Sequence, residues 1–143
     1  MMSKLKVGEM ISLKIKFADG TISEINHNYL ITEYLEGNKF KMIDIAQFDS
    51  FKSENEHLRY EDYILVVNAE EGTCINKESY IDLKKEIRIE DYDELEKYKI
   101  NNPLSTETIN KILNEYKMYK ETHVITNDNK ISLLKEAIEE INK

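Results

Sequence analysis

The sequence predicts an α+β protein in which a small antiparallel β-sheet or barrel comes first and helices follow. Up to about residue 90, short apolar or alternating segments are separated by tight turns, as in antiparallel β proteins. From residue 92, apolar residues recur every three or four positions, which is typical of amphipathic helices. A barrel over residues ~5–90 would hide the edges of such short strands. We therefore predict a β-barrel domain, residues 1–90, and a C-terminal helical extension packed on it, residues 91–143.

The first strand is predicted over residues 10–17, MISLKIKF. Apolar and polar side chains alternate there, which indicates a strand with one buried face. The apolar set is Ile11, Leu13, Ile15 and Phe17, and the polar set is Ser12, Lys14 and Lys16. Asp19 and Gly20 then form a turn signal, since glycine adopts a positive φ without steric cost. Residues 21–25 are expected to return as the second strand.

The next two strands are predicted over residues 29–35 and 39–48, joined by a turn at Glu36-Gly37-Asn38. Residues 63–68, YILVVN, are nearly all apolar, which favours a strand covered on both faces. Residues 74–83 and 86–90 are further strand candidates. The polar stretch 48–62 has no sustained period and is expected to be a loop.

The helical part is predicted to begin with one or two turns over residues 92–99. Ser105 is well placed as the N-cap of a longer helix, with Leu104 and Ile109 as a hydrophobic staple across it. Its apolar stripe comprises Ile109, Ile112, Leu113 and Tyr116. A last helix is expected over about 129–142, with Asp128 as its cap and an apolar stripe of Ile131, Leu134, Ile138 and Ile141.

Composition narrows the function classes. A formal charge of −8 over 143 residues argues against a general DNA-coating protein. The start of the chain is locally basic, because residues 1–16 carry four lysines against Glu9 alone. The single cysteine, Cys74, excludes an internal disulfide framework. No signal-peptide pattern and no apolar run of membrane-spanning length occurs, so we expect a cytoplasmic protein without a membrane partner.

Candidate binding residues lie on the predicted strands. Lys14 and Lys16 would share one strand face, and Lys39 and Lys41 would form a similar pair on another strand. Such faces could follow a nucleic-acid backbone, or they could be edge lysines that prevent aggregation. Tyrosines on and near the strands could stack bases or simply pack in the core: Tyr29, Tyr34, Tyr60 and Tyr63. The three histidines have no metal-ligand spacing, so no metal and no cofactor is expected.

Four segments together resemble the MazF/PemK family of toxin endoribonucleases. They are VGEMISLKI (7–15), NYLITE (28–33), KMIDIAQFDSF (41–51) and SYIDLKKEIRIEDYDEL (79–95). The resemblance covers approximately residues 5–120. It implies a small SH3-like barrel with helices, which forms a homodimer and cleaves single-stranded RNA sequence-selectively without a metal. It also implies a toxin–antitoxin pair, with a small antitoxin protein as partner.

The resemblance also indicates site residues. The family's catalytic arginine belongs to an Arg-Pro pair, whose place here is taken by His27 and Asn28. The family's catalytic hydroxyl follows the next strand, where Ser50 is the nearest candidate. Arg88 matches the arginine of the family's Ile-Arg pair.

Metal-free RNA cleavage needs a base, an acid and a cation. His27 could be acid or base, Arg59 or Arg88 could stabilise the phosphorane, and Ser50 could hold a phosphate oxygen; Arg59 joins the lysines as an RNA-binding candidate. Two alternatives stay open. The first is that His27 is only an exposed residue at a strand edge and has no catalytic role. The second is that the whole chain is a non-catalytic barrel that binds a peptide or nucleic acid.

Overall fold

The computed structural model describes residues 2–17, 19–48, 60–125 and 130–143. A seven-stranded, mostly antiparallel sheet combines with helices, which confirms the α+β class. The strands are β1 (Met10–Leu13), β2 (His27–Leu35), β3 (Lys39–Gln47), β4 (Ile64–Val67), β5 (Ser79–Asp82), β6 (Glu86–Glu90) and β7 (Lys130–Leu133). A 3-10 helix, Asp93–Tyr98, precedes α1 (Thr106–Thr122), and α2 (Lys135–Ile141) ends the chain.

Strand β3 is the centre of the sheet. It pairs with β2 along one side, and on the other side with β6 over its first half and β5 over its second half. Beyond these strands lie β1 next to β2, β4 next to β5, and β7 next to β6. No ladder among the described strands joins β1 to β4 or β7, so the described pairings leave the sheet open.

The two faces of the sheet cover separate hydrophobic cores. Along β3, Phe40 and Met42 belong to one core, whereas Ile43 and Ile45 belong to the other. The first core, which we call the α2 core, contains Ile138 of α2. The second, the α1 core, contains Ile109, Ile112 and Tyr116 of α1. Because side chains of a strand alternate between faces, this assignment shows which face each polar residue of β3 occupies.

Three local predictions are confirmed. The β2–β3 hairpin turns at Gly37 and Asn38, both with positive φ (83° and 58°), as a tight hairpin turn requires. Helix α1 begins after Ser105, whose side chain accepts a hydrogen bond from the Thr108 backbone N–H. The short helix expected after residue 92 is the 3-10 helix.

The strand predicted over residues 21–25 is wrong. Only Ile22 forms an isolated bridge, with Lys16, and Ile25 is exposed. The Ser23 N–H still donates to the Ile15 carbonyl at 3.0 Å, as in a ladder. The Ile15 N–H, however, donates to the Ser23 Oγ at 3.1 Å, and this hydroxyl donates to the Ile15 carbonyl at 3.0 Å. A serine that bonds to backbone in this way competes with regular strand pairing.

The expectation that YILVVN is covered on both faces is also wrong. Strand β4 pairs only with β5 among the described strands and lies at the edge of the sheet. Val66 is accordingly 37% exposed, whereas Val67 is buried. A continuous apolar run therefore marks an edge strand with one covered face here.

The C-terminal segment is not helical throughout, so the prediction of a helix over 129–142 is wrong in its first half. Residues 130–133 form β7, parallel to β6, with Ile131 opposite Ile87 and Leu133 opposite Ile89. Ile131 fits a helical stripe with Leu134 and a strand alternation with Leu133, and pairing with β6 favours the strand. Leu134, expected on the buried stripe, is 57% exposed. The sheet thus extends beyond residue 90.

Some predictions lie outside the described residues. These are Ser50, Arg59, most of the loop expected over 48–62, and the Asp128 cap. Within the described segments, no helix has both the length and the apolar character needed to cross a membrane.

Candidate active site

His27 begins β2 and faces a carboxylate on the neighbouring strand. Its Nδ1 lies 3.1 Å from Oδ2 and 3.3 Å from Oδ1 of Asp44. Asp44 pairs in register with Tyr29, and His27 precedes Tyr29 by two residues, so all three side chains share one face. The sheet register therefore creates the His27–Asp44 pair as a diagonal cross-strand contact.

Aromatic side chains fix the imidazole. The Tyr29 ring stacks on the His27 ring at 6.3 Å with an interplanar angle of 20°. Phe17 approaches the same ring edge-on at 6.1 Å. The side chains of His27 and Asp44 stay 27% and 25% exposed, so the pair is held in place and still reaches solvent.

The electrostatics favour the protonated imidazole. The hydrogen bond with Asp44 raises the pKa of His27 above its usual 6.5, burial opposes this in part, and the Asp44 charge adds to the increase. Burial, reinforced by Asp44, raises the pKa of Tyr29, so the phenol stays neutral. The buried Tyr29 hydroxyl has no hydrogen-bond partner among the described residues.

This arrangement can transfer a proton. Asp44 orients the ring through Nδ1, and in the described part of the chain Nε2 has no hydrogen-bond partner. An imidazole held by a carboxylate at one nitrogen acts as acid or base at the other. The chemistry available at this position is therefore general acid–base catalysis by His27.

Arg88 lies on the opposite face of the sheet. It pairs in register with Lys41, and its Nε donates to Glu86 Oε2 at 2.9 Å. Lys41 and Asp44 are three residues apart on β3 and point to opposite faces. The structure thus places His27 on the α2-core face and Arg88 on the α1-core face, and one chain does not bring them together.

The lysine candidates differ in environment. Lys41 is only 8% exposed, and its Nζ lies 3.0 Å from Glu86 and 3.4 Å from Glu33. Lys39 lies on the same face of β3 and is half-buried. Lys14 and Lys16 follow the end of β1; Lys14 is half-buried and Lys16 is exposed. In the described part of the chain, ion pairs involve Lys41 but not the other three candidates.

Asn142, at the end of α2, fixes the backbone at Lys14. The Lys14 N–H donates to Asn142 Oδ1, and the Lys14 carbonyl accepts from Asn142 Nδ2, both at 2.8 Å. The end of α2 therefore holds the segment that leads to Phe17 and hence to the His27 ring.

Sequence reasoning did not identify Asp44 as a partner of His27. The sequence feature that indicates Asp44 is a carboxylate between apolar residues of one predicted strand, opposite the candidate histidine in the same hairpin. Glu86, 3% exposed, was likewise not expected to be buried with Lys41 and Arg88. Its signal was its place two residues before Arg88 on one strand, which puts both on the same face.

Among the described residues, no group of three or more His, Cys, Asp or Glu side chains is placed to hold a metal ion. Comparison of the chain with protein-family models and with curated proteins finds no match.

Proposed function

We propose that this chain is a MazF/PemK-like toxin of a toxin–antitoxin pair, a metal-independent endoribonuclease that cleaves single-stranded RNA. The single observation that carries the proposal is the His27–Asp44 pair, oriented at Nδ1 and half-exposed. The proposal includes the SH3-like barrel, the cytoplasmic location, the homodimer and the small antitoxin partner that the resemblance implies.

The reaction assigned to the site is internal transesterification of RNA. The 2′-oxygen attacks the adjacent phosphorus, a base takes the 2′-hydroxyl proton, and the bond from phosphorus to the 5′-oxygen breaks. A 2′,3′-cyclic phosphate forms, and the departing 5′-oxygen needs a proton. His27 is assigned as the acid that supplies this proton from Nε2, because Asp44 stabilises its imidazolium form.

RNA-cleavage mapping in the presence of EDTA tests the assignment. The wild-type chain should cleave a single-stranded substrate, and His27→Ala should lower the rate by about 100-fold or more, the usual contribution of a general acid. His123→Ala is the matched control, because His123 is an exposed histidine at the end of α1. Cleavage by His27→Ala at the wild-type rate would refute the role of His27.

Asp44→Asn adds a diagnostic that a purely structural residue would not give. Without the carboxylate, the imidazolium loses its main stabilisation, so the pKa of His27 falls. The high-pH limb of the rate profile should therefore move to lower pH. An unchanged rate profile would show that Asp44 does not influence the proton transfer by His27.

One observation favours a second function, a non-catalytic barrel that binds a peptide or nucleic acid. Arg88 and Lys41 are engaged by Glu86 on the face opposite His27, so the described residues supply no arginine beside the imidazole. RNA binding without cleavage in the same assay would support this module. Sedimentation of the purified chain tests the homodimer, and co-purification of a small acidic protein tests the antitoxin.

A further inference from the structure

A cleft lies on the α1-core side of the sheet, between α1 and the irregular part of β2. Its volume is about 500 Å³, which suits a small organic ligand. Val7, Leu113 and the ring of Tyr116 form an apolar wall. The polar lining consists of Thr32, Glu33, Lys117, Lys120 and Glu121.

One end of the cleft belongs to a line of alternating charges, which we call the charge chain: Lys120, Glu33, Lys41, Glu86 and Arg88. Lys120 Nζ lies 3.1 Å from Glu33 Oε2, and Lys41 Nζ lies 3.4 Å from the same oxygen. Lys41 continues to Glu86 at 3.0 Å, and Glu86 to Arg88 at 2.9 Å. Two ammonium groups thus share one carboxylate oxygen at the end nearest the cleft.

The charge chain contains three cations and two carboxylates, a formal surplus of one positive charge. Lys117 and Glu121, the other charged residues of the lining, cancel each other. The lining itself is formally neutral, because Lys117 and Lys120 face Glu33 and Glu121, whereas the chain as a whole has a formal charge of −8. A neutral cleft with two ammonium groups repels an anionic ligand less than the rest of the surface does.

Lys120 is the undercompensated member. Burial and the neighbouring ammonium of Lys41 lower its pKa, and Glu33 offsets this only in part. An additional anion would stabilise its charged form. Lys117 lies one turn earlier on α1 and shares the lining, so two ammonium groups are available, the point-charge donors with which lysine binds phosphate.

The apolar wall includes a buried tyrosine. Tyr116 is 3% exposed, and its hydroxyl has no hydrogen-bond partner among the described residues. Burial, reinforced by Glu86 and Glu33, raises the pKa of Tyr116, so the group stays a neutral donor. Its oxygen has almost no accessible surface, so this hydroxyl is a buried group of the wall and is not counted among the ligand contacts.

We propose that this cleft is a binding site for a phosphate monoester with a flat or apolar body, such as a nucleoside monophosphate. The phosphate binds at Lys120 and Lys117, and the body rests on Val7, Leu113 and the ring of Tyr116. The site lies on the opposite face from His27 and is independent of the nuclease proposal.

Amide chemical-shift titration of the full chain with inorganic phosphate and with AMP tests the site. Both should shift amides of α1 and β2 around the cleft, and AMP should bind at least about fivefold more tightly, because its base buries apolar surface. Raising the salt concentration should weaken both. The site is refuted if neither probe shifts these amides, and its apolar wall is refuted if AMP binds no more tightly than phosphate.

Single substitutions test whether each charged residue of the cleft strengthens or weakens AMP binding. Lys120→Gln should weaken AMP binding about tenfold, as expected for loss of a charge-assisted hydrogen bond that is partly exposed. Glu33→Gln removes the internal anion and should strengthen binding. Lys111→Gln, an exposed α1 position outside the cleft, is the matched control. Equal affinity of Lys120→Gln and the wild type would overturn the proposal.

Lys117→Gln keeps the test decisive if Lys120→Gln does not fold, because Lys117 is exposed and lies outside the charge chain. It should weaken AMP binding several-fold, and an unchanged affinity would contradict the proposal. Competition with a short RNA that has no terminal phosphate distinguishes a phosphate monoester from a phosphate within an RNA strand. Displacement of AMP at equal concentration would show that the site takes a strand phosphate rather than a monoester.

Discussion

Replacing Glu86 by Gln should destabilise the protein through the buried end of the charge chain. Glu86 is 3% exposed and accepts from Lys41 at 3.0 Å and from Arg88 at 2.9 Å. Glutamine keeps the shape of the side chain and removes its charge. Lys41, 8% exposed, is then left as a buried cation with one weaker partner, Glu33, at 3.4 Å.

The expected loss is about 2 kcal/mol in the free energy of unfolding. Breaking a buried ion pair costs about 3–5 kcal/mol when the remaining charge has no other partner. Here Glu33 retains part of the interaction, and the Arg88 side chain is 37% exposed and can be hydrated. Both reduce the loss by roughly half.

Urea unfolding at neutral pH measures the effect. Glu140→Gln is the control, because that carboxylate is 73% exposed and pairs only with Lys143 in the described part of the chain; it should change stability by less than about 0.5 kcal/mol. Lys41→Met combined with Glu86→Gln should recover most of the loss, since no buried charge then lacks a partner. A loss below about 0.5 kcal/mol for Glu86→Gln alone would refute this reasoning.

The pH dependence provides a second check on Glu86. Burial opposes its ionisation, but Lys41 and Arg88 outweigh burial and lower its pKa from 4.5. A lowered folded-state pKa stabilises the protein above the unfolded value and loses this effect as pH falls through the folded value. The difference between wild type and Glu86→Gln should therefore shrink in acid.

Three further predictions concern single contacts. Asp44→Asn should cost about 1 kcal/mol of stability at pH 5 and less at pH 9. The raised pKa of His27 stabilises the fold below pH 6.5, and this effect is lost as the pH rises through the folded-state pKa. Urea unfolding at both pH values measures the difference. Ser105→Ala should cost about 1 kcal/mol by removing the cap of α1, with Ser105→Gly closer to wild type in thermal unfolding. Glu139→Gln should cost about 1 kcal/mol of stability at neutral pH. Burial opposes ionisation of the partly exposed Glu139, but Lys97, Tyr98 and Tyr92 outweigh it and lower the pKa of Glu139 to about 2. The loss should therefore fade as the pH drops from 4.5 towards 2, and an equal loss at pH 2 and pH 7 would contradict this prediction.

Local patterns predicted the parts of the fold whose stabilising contacts lie within a few residues. The Ser105 cap, the apolar stripe of α1 and the Gly37-Asn38 turn depend on neighbouring residues and are confirmed. The segment that contains Ile131 is ambiguous in the sequence, because Ile131 has the helical spacing to Leu134 and the strand spacing to Leu133. Pairing with β6 decided for a strand, and β6 lies more than 40 residues earlier in the chain.

The candidate site shows the same division. The sequence by itself determined that His27 stands at the start of a strand in a β-hairpin, beside apolar and aromatic residues. Only the tertiary structure decided that Asp44 holds its ring, that Arg88 faces the other core, and that Lys41 is buried with Glu86. The physical reason is that the face and neighbours of a strand residue follow from long-range register, whereas turns and caps follow from the backbone conformation of consecutive residues.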